Sequence, residues 1–321
     1  MKKQQIMVTV VVLTYNQEQW IAQTLDSILA QKTEYPFEVI IGEDWGTDNT
    51  RKICEGYCAK YPNVKLAPQD HNLGVVANWL NCIQLGTGKY IMNCAGDDYW
   101  HNPSKIQLQV DYMETHSECI LCHTDIDVLH VKTGRIKHND KQSGGIIPPE
   151  GRIQKDILVG REHISAVTMC FRRDKFNEYI PTNKFIELNF PREDWPMLVI
   201  LSAHGDINYI PVSTATYRVG QPSISNEINY DKIRNRYERD FIMTSFLFSM
   251  FPEWGPIDQG TIDYYKTHVF HSLLMAAYEN NDYKSAREFA LKDPTNTKAK
   301  RWVKNWFTFQ IFRLFRVLKY Q

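Results

Sequence analysis

Short apolar runs alternate with amphipathic segments along the first hundred residues. Four of the runs are predicted strands, and the first is a continuous β-branched run, which is typical of strands buried on both faces of a parallel sheet. They span 8–13, 37–42, 64–67 and 90–94. The intervening segments carry apolar residues at helical spacing, as in Ile21, Leu25 and Ile28. Strands that alternate with helices predict a mostly parallel, doubly wound α/β sheet of the Rossmann type, flanked by helices.

The pattern changes after about residue 118, where hairpin and loop signals replace the regular alternation. The predicted elements are a hairpin turning at Lys132-Thr133-Gly134, a loop over 139–150, a strand over 163–173, a helix starting near Pro196 and a strand over 207–219. From about residue 227 the chain is predicted to be helical, with breaks near Pro252–Pro256 and at Pro294.

Composition and charge exclude several classes of function. Lys plus Arg and Asp plus Glu both number 37, so no net charge favours nucleic-acid binding. The seven cysteines are an odd number, and several lie in apolar runs, which indicates reduced thiols in a cytosolic protein. Cys119, Cys122 and His123 resemble half of a zinc site, but no second pair at ligand spacing follows.

Targeting and membrane-spanning signals are not seen in the sequence. The apolar run near the start, Met7 to Leu13, is followed by no small-residue cleavage site. No segment reaches the ~18 consecutive apolar residues of a membrane span. We therefore expect the body of the protein to be cytoplasmic.

Acidic side chains follow two of the predicted strands. Asp44 comes after the second strand, and Asp97 and Asp98 come after the fourth. In open α/β sheets, ligands bind at the carboxyl ends of the strands, where the loops leave the core. Both acidic groups should therefore face one crevice.

Four motifs in order carry a resemblance to a known family. They are "VVLTYNQEQWIAQTLDSILAQ", "EVIIGEDWGTDNT", "HNLGVVANW" with "GKYIMNCAGDDYWHNPSKIQLQ", and "REDWPML". The chain resembles the family-two glycosyltransferases with the GT-A fold, especially bacterial enzymes that build surface polysaccharides. The likeness covers roughly residues 6 to 225.

The resemblance implies a fold, a domain organisation and an activity. It implies a GT-A domain with a nucleotide-sugar-binding half over 1–118 and an acceptor-binding, catalytic half over 119–226, followed by a helical extension over 227–321. The implied activity is inverting, metal-dependent transfer of a sugar from a nucleotide-sugar to a hydroxyl of a growing surface glycan, and we expect the donor to be UDP-linked. A weakened nucleotide-sugar-binding subunit of an assembly complex is the alternative, and a nucleotidyltransferase is disfavoured because no Gly-rich phosphate loop follows strand one.

The resemblance also implies a donor site. In the family, the loop matching Thr14, Tyr15 and Glu18 packs around the base and ribose, and the residue matching Asp44 hydrogen-bonds the pyrimidine base. Glu18 fits equally well as a first-turn carboxylate favoured by the helix dipole. Asp44 could be a simple turn residue, but the donor role is favoured.

Asp97 and Asp98 are the candidate metal ligands. A departing diphosphate needs its charge neutralised, and Mn²⁺ or Mg²⁺ bound by carboxylate oxygens does this. Relatives usually carry another carboxylate where this chain has Ala95, and many carry a histidine near the position of Gly220. These departures predict few protein ligands and weak binding of the ion alone.

Asp194 matches the catalytic aspartate of the family, with Glu193 beside it. A carboxylate here would accept the proton of the acceptor hydroxyl. The pair could instead be first-turn charges of the helix that starts near Pro196, but the other three motifs favour the base. Arg218 could bind diphosphate oxygens through its planar guanidinium or pair with a surface carboxylate, and the sequence does not decide between them.

The last 24 residues, 298–321, hold seven Lys or Arg and no acidic residue. Cationic amphipathic helices with interfacial aromatics lie on anionic membranes. Peripheral membrane contact is therefore slightly favoured over packing on the catalytic domain or on a second subunit, and homo-oligomerisation stays open. Such contact would place the enzyme at the inner face of the cytoplasmic membrane, near a lipid-linked acceptor.

Overall fold

The structure is a computed structural model and describes residues 5–158, 163–220, 228–257, 259–292 and 303–311. The strands are β1 (Val8–Thr14), β2 (Phe37–Glu43), β3 (Val64–Leu66), β4 (Tyr90–Ala95), β5 (Cys119–His130), β6 (Arg135–Lys137), β7 (Cys170–Arg172) and β8 (Asp206–Val219). The helices are α1 (Ile21–Leu29), α2 (Thr50–Lys60), α3 (Val75–Leu85), α4 (Lys105–Thr115), α5 (Asp140–Ser143), α6 (Gln154–Leu158), α7 (Arg173–Tyr179), α8 (Thr182–Glu187), α9 (Asp194–His204), α10 (Tyr230–Met250), α11 (Gln259–Glu279) and α12 (Tyr283–Lys292). Short 3₁₀ helices span Ala166–Thr168 and Pro252–Trp254.

The strands form one mixed sheet in the order β3-β2-β1-β4-β7-β5-β6, and β8 pairs with β5. The first four strands are parallel, as their continuous apolar sequences predict. β7 lies antiparallel between β4 and β5. The predicted α/β fold class with a mostly parallel sheet is therefore confirmed.

Helices cover both faces of the sheet. Val8, Val10 and Val12 of β1 belong to one core cluster, which the apolar faces of α1 and α4 complete. On the other face α3 contacts β1 and β2, and its Trp79 is fully buried. Burial on both faces explains why β1, β2 and β4 are apolar at successive positions.

The strand predicted over 163–173 is wrong. Its described part holds the 3₁₀ helix Ala166–Thr168 and only three residues of strand, Cys170–Arg172. The Thr168 hydroxyl donates to the carbonyl of Ser165 at 2.7 Å and closes the turn. A local side-chain hydrogen bond thus replaces the ladder that the β-branched residues would favour.

Two compact units emerge from the contacts. The first comprises 1–129 and 135–219 and holds the sheet, and the second comprises 130–134 and 220–321. In the second unit α10, α11 and α12 surround a separate core, which confirms the predicted helical character of the described residues after 227. The predicted break at Pro294 lies outside the described residues.

The basic C-terminal segment is described only over 303–311. Val303 and Phe309 are buried in the core of the second unit, where Phe309 stacks on Tyr278 at 5.0 Å between ring centroids. Trp306 and Phe307 are exposed. Residues 298–302 and 312–321 lie outside the described residues. Among the helices of the described ranges, none has the length and apolarity required to cross a bilayer.

Candidate active site

Three neighbouring strands end at the same edge of the sheet. In the parallel ladders Thr14 lies opposite Glu43, and Leu13 lies opposite Ala95. Each strand is followed within two residues by a predicted site residue, namely Tyr15, Asp44 or Asp97. Parallel pairing therefore places these three positions at one edge, where a ligand of an open α/β sheet binds.

The loop after β1 is packed tightly against the loop after β4. The buried Thr14 hydroxyl donates to Gln17 Oε1 at 2.8 Å. A Cβ on Gly96 would lie 2.5 Å from Thr14 Oγ1, so only glycine fits at this position. Tyr15, the next residue, leaves its ring 49% exposed at the edge. The loop thus presents an aromatic surface to solvent from a rigid support.

Asp44 organises the segment that leads into α3. Its buried carboxylate accepts the backbone N–H of Leu73 at 2.7 Å and that of Gly74 at 3.0 Å. Its carbonyl accepts Asn72 Nδ2 at 2.8 Å. Oδ1 also accepts from Gln69 Nε2 at 3.4 Å, so the second lone pair of Oδ2 is the one left to accept from a ligand.

Glu18 joins two loops rather than lying in a first helical turn. Its Oε2 accepts from the backbone N–H of Asn49 at 2.9 Å and from Asn49 Nδ2 at 2.7 Å. In return, the N–H of Glu18 donates to Asp48 Oδ2 at 3.0 Å. Helix α1 begins only at Ile21. The carboxylate thus ties the β1–α1 loop to the start of α2.

Asp97 and Asp98 occupy different environments although they are adjacent. Asp97 is partly exposed, and its carbonyl accepts a hydrogen bond from the Arg218 guanidinium. Asp98 is 2% exposed, and its Oδ1 accepts the backbone N–H of Arg218 at 2.9 Å. Burial, with the nearby charge of Asp97 adding to it, raises the pKa of Asp98 well above its usual range.

Arg218 is held between two aromatic rings. Its guanidinium carbon lies 4.6 Å from the Trp20 ring centroid and 4.7 Å from that of Tyr99, and the side chain also donates to Gln23 Oε1. The residue is 2% exposed, and burial lowers the pKa of its guanidinium. The guanidinium is thus enclosed beside the Asp97 loop, and its contact with a diphosphate stays a prediction. Arg218 fixes the main chain at Asp97 in the structure.

The end of β8 lies beside the same acidic loop. Tyr99 and Thr216 form an antiparallel bridge, with the N–H of Thr216 donating to the Tyr99 carbonyl at 2.8 Å. Tyr217 follows, 38% exposed, and its pKa is raised by burial and by the charges of Asp98, Asp97 and Asp194. The three carboxylates therefore lie within electrostatic range of one phenol.

Asp194 begins helix α9. Its Oδ1 accepts the N–H of Trp195 at 2.7 Å, which orients the carboxylate and leaves Oδ2 as the second acceptor. The indole of Trp195 donates to the carbonyl of Ile157 at 3.3 Å. Burial and the charge of Asp194 raise the pKa of Glu193 to about 8, so the pair holds one proton near neutral pH.

The described residues contain no group of three His, Cys, Asp or Glu side chains placed to hold a metal ion. Asp97, partly exposed at the strand end, suits a hard cation that takes its other ligands from a diphosphate and water. Asp98, the second predicted ligand, is 2% exposed, and its role in metal binding stays a prediction. Gly220 has φ 93°, a conformation that disfavours histidine there.

Asp98 should make the stability of the fold depend on pH. Between its usual pKa of ~3.9 and the raised folded value, the folded protein holds a proton that the unfolded chain lacks. The free energy of unfolding therefore falls as pH rises through this window, by at most ~1.4 kcal/mol per pH unit. In Asp98→Asn this fall should be smaller, as urea denaturation at about pH 4.5 and about pH 7 would measure. An equal or steeper fall in the variant would contradict the raised pKa.

Comparison with known proteins gives the family. The description "Glycosyl transferase family 2" matches residues 9–180, which is more than half of the chain. The chain belongs to glycosyltransferase family 2. This confirms the resemblance found in the sequence.

Relatives of this glycosyltransferase include bacterial proteins. "Uncharacterized protein Rv1520" of Mycobacterium tuberculosis is 32% identical over 214 residues, which are 65% of this chain and 58% of that protein. The chain thus matches less than two thirds of this relative's length. "Putative glycosyltransferase EpsE" of Bacillus subtilis is 34% identical over 110 residues, 34% of this chain and 39% of that protein.

Solved structures support the GT-A fold of this glycosyltransferase. S. aureus TarS in complex with UDP-GlcNAc has a TM-score of 0.51 at 17% identity, covering 93% of this chain and 90% of that one. A mannosyltransferase from Pyrobaculum calidifontis, in complex with GDP-Man and Mn²⁺, has a TM-score of 0.56 at 14% identity, covering 95% and 85%. At these identities the likeness shows the fold alone.

Sequence reasoning missed Tyr217 and the aromatic pair around Arg218. The alternation on β8 contains a signal for the first, since Thr216 and Arg218 are buried and Tyr217 between them is exposed. The enclosure of Arg218 by Trp20 and Tyr99 has no local signal, because the three residues come from separate segments of the sequence.

Proposed function

We propose that this glycosyltransferase moves a sugar from a nucleotide-sugar to a hydroxyl of a growing bacterial surface glycan, with inversion at the anomeric carbon. One observation supports this most: β1, β2 and β4 end at one edge of the sheet, so Tyr15, Asp44 and Asp97 follow these strands at the same edge. Asp194 lies within electrostatic range of this edge, since its charge contributes with that of Asp97 to the raised pKa of Tyr217.

The proposed chemistry is a single displacement. The acceptor oxygen forms a bond to the anomeric carbon as the bond from that carbon to the diphosphate oxygen breaks. Asp194 accepts the acceptor's proton, and the electron pair of the broken bond leaves with the nucleoside diphosphate. Attack from the face opposite the leaving group inverts the carbon. The Asp194 carboxylate, held by the N–H of Trp195, is oriented for this proton transfer.

The donor is proposed to lie along the edge formed by β1, β2 and β4. The exposed ring of Tyr15 would stack on the base, and Asp44, buried between two backbone N–H groups, would accept from it. TarS and the mannosyltransferase were solved with UDP-GlcNAc and GDP-Man. UDP is our proposed nucleotide, and GDP is the comparison that tests it.

Asp97 is proposed to be the protein ligand of a Mn²⁺ or Mg²⁺ ion. When bound, the ion neutralises charge on the departing diphosphate. Arg218 keeps the Asp97 main chain in place through its hydrogen bond to the carbonyl, and the stacking of Trp20 and Tyr99 fixes Arg218. The Mn²⁺ bound to the mannosyltransferase supports this choice of ion.

The acceptor is proposed to be glycan-linked or lipid-linked, at the inner face of the cytoplasmic membrane. The exposed Trp306 and Phe307, with the basic residues of 298–321, support contact with an anionic surface. The alternative, a weakened nucleotide-sugar-binding subunit, is favoured by Ala95, which removes one carboxylate from the acidic loop.

The donor proposal predicts a metal-assisted rise in melting temperature. A ligand at 100 times its Kd stabilises the native state by ~2.7 kcal/mol. We expect UDP with Mn²⁺ to raise the melting temperature by several degrees and GDP with Mn²⁺ to raise it less. Either nucleotide without metal should give the smallest rise. A thermal-shift screen measures this, and no shift with any nucleotide would contradict the proposal.

Donor hydrolysis separates the two candidate functions. A glycosyltransferase without acceptor is expected to release nucleoside diphosphate slowly, with water in place of the acceptor. Purified protein that binds donor but releases none, with Mn²⁺ and several nucleotide-sugars, would favour the binding subunit.

A further inference from the structure

Trp45 adopts a backbone conformation that is unusual for a large side chain. Its φ is 59°, in the left-handed region that favours glycine. A bulky residue held there stores strain, and such outliers cluster at ligand sites. Trp45 directly follows Asp44, at the edge where the donor is proposed to bind. Its conformation therefore points to a function for the indole.

Contacts from one buried carboxylate hold Trp45 in this conformation. Glu43 Oε1 accepts the N–H of Gly46 at 2.6 Å and closes the turn around Trp45. Glu43 Oε2 pairs with Arg51 Nη1 at 3.3 Å. The Arg51 guanidinium in turn lies 4.4 Å from the centroid of the indole ring. The turn and one face of the ring are thus fixed together.

Packing does not explain the residue. Trp45 is 44% exposed, and one face is already covered by Arg51, so the exposed area lies on the rest of the ring. A glycine would adopt the same backbone without strain. The adjacent loop is joined to this turn, because Asn16 Oδ1 accepts the N–H of Thr47 at 2.7 Å. The exposed ring of Tyr15 therefore lies on the loop that contacts the Trp45 turn.

We propose that Trp45 is a base-contacting residue that strengthens binding of the donor nucleotide. Its free surface contacts the nucleobase beside Tyr15 and Asp44, and Arg51 supports the opposite face of the indole. The occupant is a nucleobase because every base has a flat π-face that stacks on aromatic rings. This inference rests on the proposed function, which supplies a nucleotide as the ligand.

The test compares Trp45→Gly with a matched control. Trp45→Gly keeps the left-handed turn and removes the ring, so the melting temperature should stay within about 3 °C of wild type. Asn139→Gly makes the same exchange at another exposed position with φ 48°, outside the donor edge. Trp45→Phe keeps an aromatic surface.

Isothermal titration with UDP, GDP and pyrophosphate, each with Mn²⁺, measures the effect. We expect Trp45→Gly to weaken the binding of both nucleotides by about 10-fold or more and Trp45→Phe to weaken it less. Asn139→Gly should leave both affinities unchanged. Pyrophosphate has no base, so its affinity should not change. In donor hydrolysis, Trp45→Gly should raise KM more than it lowers kcat.

Two results would overturn the inference, and they are distinguishable. Nucleotide affinity that is unchanged in Trp45→Gly, or lost equally for pyrophosphate, would mean that the ring does not contact the base. If the wild-type protein bound neither UDP nor GDP, whether or not it bound pyrophosphate, the proposed donor site would be contradicted together with this inference.

Discussion

Asp194→Asn should abolish sugar transfer while leaving the affinity for the donor nucleotide within about twofold of wild type. The amide cannot accept the acceptor's proton, and loss of a general base typically costs ~10²–10⁴-fold in rate. In the wild type the N–H of Trp195 donates to Asp194 Oδ1 at 2.7 Å. The amide oxygen of the variant can accept the same hydrogen bond, so the start of α9 should keep its shape. Single-turnover transfer and nucleotide titration measure the two quantities separately.

Glu193→Gln is the matched control at the adjacent carboxyl. Burial and the charge of Asp194 raise the pKa of Glu193 to about 8, so near neutral pH glutamine resembles the protonated side chain. We expect this variant to lose less than about tenfold in rate. The wild-type rate should rise as pH rises through about 8, because the second negative charge that then forms beside Asp194 favours proton acceptance by Asp194, and this rise should be missing in Glu193→Gln. A rate for Asp194→Asn above a tenth of wild type would rule out the assigned base.

The sheet and its ligand edge could be predicted because parallel strands leave a strong local signal. Continuous apolar runs identified β1, β2, β3 and β4, and parallel order alone requires their carboxyl ends to share an edge. Asp44 and Asp97 were placed at that edge without any long-range contact being known. What failed was the segment 163–173, where a hydroxyl-to-carbonyl bond at Thr168 closes a 3₁₀ turn.

The roles of individual charges were harder to predict than their positions. Asp97 and Asp98 are adjacent in the sequence, which does not show their burial. Only the fold shows that Asp97 is partly exposed, whereas Asp98 is buried and accepts the N–H of Arg218. The sequence left Arg218 open between a diphosphate contact and a surface ion pair, and its enclosure was not predicted because its aromatic neighbours lie about 120 and 200 residues away in sequence. Burial depends on which segments meet, and a single sequence does not contain that information.

Asp97→Asn should remove the effect of Mn²⁺ on donor binding, and Asp98→Asn should keep it. Asp97 is the exposed carboxylate of the pair, so its neutral amide would weaken metal-assisted binding of the nucleoside diphosphate by about tenfold or more. Asparagine at position 98 resembles the protonated carboxyl that burial favours, and its amide oxygen can accept the N–H of Arg218.

Titration of UDP into each variant, with and without Mn²⁺, measures the response to the metal. Because the two substitutions are chemically identical and adjacent, a difference between them reports the position of the charge rather than its removal. If Asp98→Asn lost the metal response as Asp97→Asn does, both carboxylates would have to bind the ion, and the buried Asp98 would have to turn away from the Arg218 N–H in the metal-bound enzyme. If Asp97→Asn kept the response, the ion would be held without this loop, and the case for Asp97 as its ligand would be lost.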